Sequence, residues 1–176
     1  IDFYLDYRKH EIKPTSVIKY NVIKHKLERM QTNRRKPILI ADIDENFKNE
    51  FVAYQKNNGY AQNTIQRELT FLKTFCKHAR YLGLETSPQL DTLKLEKVKA
   101  EKIYLTFKEL ETIEKTKLEH DYLDNARDWL IISCYTGQRV SDFLRFDKSM
   151  IRVENGKSLL EFTQKKTGNL MTVPLH

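Results

Sequence analysis

Apolar residues recur at three- and four-residue spacing over most of the first hundred positions, and beyond residue 150 the period shortens, so the chain predicts helices first and short strands last. Ile1 to His10 reads as the tail of a helix whose beginning is missing, and with no initiating Met the chain is expected to be a piece of a longer protein. Pro14-Thr15-Ser16 opens a second helix, with Thr15 or Ser16 as N-cap, and Val17, Tyr20, Ile23, Leu27 and Met30 form its core-facing stripe. The polar break Thr32 to Pro37 ends it, and Ile38 to Ile43 forms a short apolar connector. Asp44 caps a helix running to about Asn57, where Asn58-Gly59 stops it. A further helix from Gln62 or Asn63 to Tyr81 places Ile65, Leu69, Leu72, Phe75, Cys76, Ala79 and Leu82 on one face. Arg67, Thr70, Lys73, Thr74, Lys77 and Arg80 lie opposite, with Glu68 as the sole acid of that basic side.

From Gly83 to Lys102 the periodicity fades, and Glu85-Thr86-Ser87-Pro88 followed by a charge-rich run reads as an interdomain linker. The division expected is a helical domain over 1–84, a linker over 85–102 and a second domain over 103–176. Thr106, with Glu109 three residues on, forms a capping box for a helix to about Leu118. The stretch Asn125 to Tyr135, centred on Trp129-Leu130-Ile131-Ile132, is apolar enough to be a buried central helix. A short helix after Arg139 is expected to carry Val140, Phe143 and Leu144 inward. Ile151 to Val153, Ser158 to Thr163 and Leu170 to Leu175 then read as three strands, the Asn155-Gly156 pair being a strong hairpin signal.

A length of 176 residues, 40% apolar and 31% charged, suits one or two ordinary globular domains. No apolar run is long enough for a membrane span and no export signal is present, which makes the cytoplasm the default compartment. Cys76 and Cys134 stand in apolar helical settings without metal-ligand spacing and are read as small core residues. Residues 1–100 hold 19 Lys/Arg against 12 Asp/Glu, while residues 101–176 hold 12 of each, so the whole net charge of +7 belongs to the first part. A basic helical module is the electrostatic footprint of a nucleic-acid clamp. Lys19, Arg34, Arg35, Arg67, Lys73, Lys77 and Arg80 are its candidate DNA-binding residues.

Two further sites carry chemistry. Arg139 stands in Thr136-Gly137-Gln138-Arg139-Val140-Ser141-Asp142, at a glycine-marked helix start, and Lys166 follows 27 residues later in the polar turn Lys165-Lys166-Thr167-Gly168-Asn169. Cutting a phosphodiester without metal requires stabilising extra negative charge on the phosphoryl oxygens, which a guanidinium fork does bidentately and an ammonium does not. Each preorganised donor of this kind contributes roughly 3 to 4 kcal/mol. A leaving oxygen also needs a proton, and a lysine on a turn can supply one as general acid, worth about 10²- to 10⁴-fold. A turn with a surface arginine and a solvated basic β-turn are the plain alternatives. Their order, their separation and the helical module ahead of them favour the catalytic reading.

These residues resemble the first half of a tyrosine recombinase (phage integrase) site, and the similarity extends over essentially the whole chain. Residues 12 to about 84 look like the helical core-binding, SAM-like domain, with Thr64 to Leu69 and Leu72 to Phe75 resembling its most recognisable helix. Tyr104-Leu105-Thr106 with Glu109-Leu110 looks like the opening of the catalytic domain. The family's arginine box, approximately Thr-Gly-x-Arg-x-Ser-Glu, is matched by Thr136, Gly137, Arg139 and Ser141, with Asp142 in place of Glu. Aligning Val173-Pro174-Leu175 with the family's third strand puts Lys166 on its catalytic lysine. The fold class implied is mainly α: a SAM-like core-binding domain, then a truncated α+β catalytic domain with a small three-stranded antiparallel sheet.

The resemblance also implies a mechanism. A tyrosine attacks the scissile phosphate of double-stranded DNA, forms a 3′-phosphotyrosyl link and expels a 5′ hydroxyl, with neither metal nor cofactor, within a tetramer on paired sites. The family's His-x-x-Arg box and its nucleophile should lie beyond Lys166, and none of the five histidines here is followed by arginine at the third position. This chain is therefore expected to bind DNA as a monomer without cleaving it, whereas the parent integrates or recombines DNA for a phage, conjugative element or transposon. Two other classes fit part of the pattern: a non-catalytic DNA-binding regulator with recombinase architecture, and a helical protein-interaction domain with a solvated basic surface.

Overall fold

The computed structural model describes residues 1–175. The chain forms two compact units, one spanning Ile1–Glu101 and one beginning at Lys102.

The first unit is helical: α1 (Asp2–Tyr7), α2 (Pro14–Arg34), α3 (Glu45–Asn57) and α4 (Gln62–Tyr81), with short 3-10 turns at Ile40–Asp42 and Pro88–Asp91. α2 begins one step earlier than the capping residues suggest. Lys13 is its N-cap and Pro14 takes the first helical position, where its missing N–H is no loss. Asp44 caps α3 by accepting from the Phe47 amide at 2.8 Å. Gly59, at φ +78°, provides the left-handed residue that lets the chain turn toward α4.

The core draws on every helix. Ile23 and Met30 from α2, Phe47 and Phe51 from α3, and Ile65, Leu72, Phe75 and Cys76 from α4 are all buried. Each such large side chain contributes roughly 1.5–3 kcal/mol. Tyr4 of α1 packs edge-on against Tyr20 and Phe75, at ring separations of 5.9 and 5.0 Å, which anchors the short first helix. Leu82, assigned to the apolar face, is exposed instead, because it lies past the last turn of α4.

Two features differ from expectation. Glu68 does not sit on the basic face of α4. It is buried with Lys26, whose Nζ lies 2.6 Å from its Oε1 and 3.3 Å above the Tyr60 ring, while Gln55 Nε2 donates to its Oε2 at 2.8 Å. One carboxylate thus ties α2, α3 and α4 together. The segment read as a loose connector is, in its first half, part of the core: Leu90 and Leu93 are fully buried and Leu95 packs beside them.

The second unit comprises α5 (Phe107–Lys115), α6 (Asp121–Thr136), α7 (Val140–Phe143), a 3-10 turn at Lys148–Met150 and strands β1 (Ile151–Glu154), β2 (Lys157–Thr163) and β3 (Leu170–Pro174). Thr106 and Glu109 form the reciprocal capping box of α5, which ends at Lys115, short of Leu118. The strands form an antiparallel sheet in the order β1-β2-β3, with Ile151 opposite Leu160 and Leu160 opposite Val173. Asn155 and Gly156, at φ +51° and +73°, make the two-residue loop between β1 and β2. The expected burial of α6 is not found. Trp129, Leu130 and Ile132 are 38%, 39% and 38% exposed, since residues 102–175 supply too few elements to cover that helix on all sides. Val140 and Leu144 are likewise exposed, and of the three residues expected to turn inward only Phe143 does so, stacking on Trp129 at 5.4 Å.

Candidate catalytic and nucleic-acid-binding sites

The arginine loop is set by two local choices of the sequence. Gly137, at φ +62°, ends α6 in the left-handed conformation, so the glycine marks the end of that helix rather than the start of the next. Arg139 is then the N-cap of α7, in extended backbone, and its carbonyl accepts from the Asp142 and Phe143 amides at 2.8 and 3.0 Å. Its side chain is exposed and has no carboxylate partner among the described residues. A guanidinium held at its base and open at its tip is suited to gripping an oxyanion.

Lys166 lies in the four-residue turn between β2 and β3, closed by the Gln164 and Asn169 backbone and by Gly168 at φ +73°. It is exposed as well. The turn is tied to the arginine loop through Asp142, which is fully buried and accepts from the Lys165 amide at 2.8 Å and from Arg145 at 2.8 Å. The Lys165 amide first, then the Arg145 guanidinium and the charge of Arg139, hold the Asp142 carboxyl below the usual carboxylate range despite its burial. Its Oδ2 has no hydrogen-bond partner among the described residues. Asp142 enters the sequence reading only as a replacement for Glu. Its tie to the lysine turn has no local signal, because the partners stand 23 positions apart.

The candidate DNA-binding cations of the first unit divide into two groups. Arg34 binds Glu50 at 2.7 Å and has a buried Nη1, so it braces α2 against α3. Lys73 is half-buried and donates to the Asp91 and Leu93 carbonyls at 3.1 and 2.6 Å. Burial, followed by the nearby charge of Lys77, lowers its pKa. Lys77 and Arg80 both bind Asp91, at 2.9 and 2.7 Å, and together hold its carboxyl down to about 2. These three residues of α4 fasten the 86–93 strap. Arg35 is the exposed left-handed C-cap of α2.

Lys19 and Arg67 differ from these: both are exposed with no acidic partner among the described residues. They line one groove with Ile18, Val22 and Phe71, and Arg67 and Phe71 continue into a second with Asn63, Gln66, Thr70 and Lys97. Lys97, which sequence reading did not nominate, joins this surface because Asn63 holds the Val98 backbone on both sides, at 2.8 and 2.9 Å.

The comparisons with known proteins bear on the family and the fold. Residues 1–90 match the family model described as the phage integrase SAM-like domain. No curated protein sequence matches the chain. Among solved structures, a lambda integrase tetramer bound to a Holliday junction superposes with a TM-score of 0.70 at 21% identity, over 99% of this chain and 50% of that one. A lambda integrase dimer bound to a COC′ core site gives 0.69 at 21%, over 98% and 47%. The Tn1549 transposon integrase in complex with a circular intermediate DNA gives 0.70 at 16%, over 98% and 56%. The chain thus spans about half the length of these proteins. With its leading half matched to the integrase SAM-like domain and its fold shared from end to end with integrases, the chain belongs to the phage integrase family of tyrosine recombinases.

Proposed function

We propose that the chain is the DNA-gripping and arginine/lysine-bearing part of a tyrosine recombinase that integrates or rearranges double-stranded DNA through a 3′-phosphotyrosyl intermediate. The observation that carries this reading is the pairing of an exposed Arg139, which forms no salt bridge among the described residues, with a lysine turn bonded to the same loop through Asp142. In this scheme Arg139 clamps the non-bridging oxygens of the scissile phosphate and Lys166 protonates the departing 5′ oxygen. Neither role calls on a metal or a cofactor. The first unit grips the duplex through Lys19, Arg67 and Lys97, with Arg35 at the end of α2 as a further contact. Lys73, Lys77 and Arg80 hold the strap. The full-length protein works as a tetramer on paired sites, and the present chain is a monomer that binds DNA without forming a covalent adduct.

Fluorescence-anisotropy titration with duplex DNA at two salt concentrations tests this. About six phosphate contacts give roughly 10³-fold weaker binding between 50 and 200 mM salt. A Lys19→Glu, Arg67→Glu, Lys97→Glu variant is expected to lose most of that affinity, and the reading fails if the wild type does not bind at low salt. A phosphotyrosyl adduct of this chain on a nicked trapping substrate would overturn the assignment of the nucleophile to the remainder of the protein.

A further inference from the structure

Three consecutive residues at the end of β2 are each bonded to the arginine loop. The Thr163 carbonyl accepts from Arg145 at 2.9 Å, the Lys165 amide donates to Asp142 at 2.8 Å, and between them Gln164 Nε2 donates to Gln138 Oε1 at 2.9 Å. Gln138 is itself fixed, its Nε2 donating to the Thr136 carbonyl at 3.0 Å. On the far side of the turn, the Thr167 hydroxyl donates to Gln164 Oε1 at 2.6 Å. Lys166 therefore sits between two restrained neighbours: Lys165 is held through its amide and Thr167 through its hydroxyl. The second restraint runs Thr167 to Gln164 to Gln138, the residue immediately before Arg139.

We infer that Gln138, Gln164 and Thr167 form a positioning bridge that sets where the Lys166 ammonium sits relative to the phosphate held by Arg139; this rests on the recombinase reading above. The side-chain amides suit the task. Gln164 donates with one end and accepts with the other, and an amide link adds no net charge beside a phosphate. In the cleavage step the tyrosine oxygen of the full-length protein forms a bond to phosphorus and the bond from phosphorus to the 5′ oxygen breaks. The leaving oxygen takes its proton from Lys166. An ammonium on a turn reaches that oxygen only if the turn is held, and a misplacement of about 1 Å costs on the order of 10²-fold in rate.

The test is single-turnover cleavage by the full-length protein on two substrates, one with the natural 5′ oxygen and one with sulfur in its place. A thiolate leaves without a proton, so the sulfur substrate bypasses the general acid and nothing else. Gln164→Leu and Gln138→Met are expected to cleave the oxygen substrate roughly 10- to 100-fold more slowly and the sulfur substrate at the wild-type rate, the pattern also expected of Lys166→Ala. Arg139→Ala should be slow on both. Thr167→Val, which removes one hydroxyl at constant shape, should show the same split more weakly, and Trp129 fluorescence melting reports whether each variant keeps the second unit folded. Equal slowing on both substrates, or no slowing on oxygen, would overturn the bridge as a lysine-positioning device. A wild type that forms no covalent adduct with either substrate would instead remove the recombinase reading.

Discussion

Lys26 and Glu68 show how much of the first unit depends on one buried pair. Removing one partner strands a charge in the core, so Glu68→Ala is expected to destabilise the first unit by about 3–5 kcal/mol in urea unfolding followed by far-ultraviolet circular dichroism. Changing both residues to apolar ones of similar size should cost far less, which separates the effect of an orphaned charge from that of lost packing. The clue to this burial was present in the chain: Glu68 stands three residues after Ile65 and four before Leu72, on the apolar side of its helix. Charge type masked the spacing. Residues whose role is a bond to their own neighbourhood, such as Asp44 and Thr106 at helix starts, were legible because the pattern is local. Gln138 and Gln164 were not, since an amide in a loop has no period and its partner lies 26 positions away.

At the scale of elements, the strap over α4 changes what a basic helix face means. Asp91 bonds to Lys77 and Arg80 at 2.9 and 2.7 Å and Lys73 donates to backbone carbonyls, so these cations tie the strap to α4 while Lys77 and Arg80 stay exposed to solvent. Asp91→Asn releases Lys77, while Arg80 keeps its bonds to Thr86 and Ser87, and should steepen the salt dependence of DNA binding by up to about 0.9 in the log–log slope, read by anisotropy. The same carboxylate gives the strap a pH signature. Its pKa falls from 3.8 to about 2 in the folded chain, so its contribution to stability is complete above about pH 4 and disappears as pH drops through 2. Thermal melts between about pH 5 and pH 2 should therefore fall less steeply for Asp91→Asn than for the wild type. The strap escaped sequence reading because two leucines, Leu90 and Leu93, set among charges do not make a period. The strands were read to within a residue or two, because the Asn155-Gly156 loop fixes their register. Thr106→Ala should cost α5 about 1 kcal/mol by removing its cap, seen as earlier melting of Trp129 fluorescence if α5 supports the fold of its unit.

For the molecule as a whole, the two units divide charge and apolar surface unequally. The first is basic, while residues 102–176 carry 12 positive and 11 negative side chains. The α6 face with Trp129, Leu130 and Ile132 remains open to solvent. Near-zero net charge beside exposed apolar surface favours association, and like charge on the first unit opposes it. The second unit expressed alone is expected to scatter light and bind a hydrophobic dye at concentrations where the whole chain stays clear, and added salt should narrow the difference. In practical terms the basic first unit acts as a built-in solubility tag, and shelf life in the purified state would be set by the ionic strength of the storage buffer.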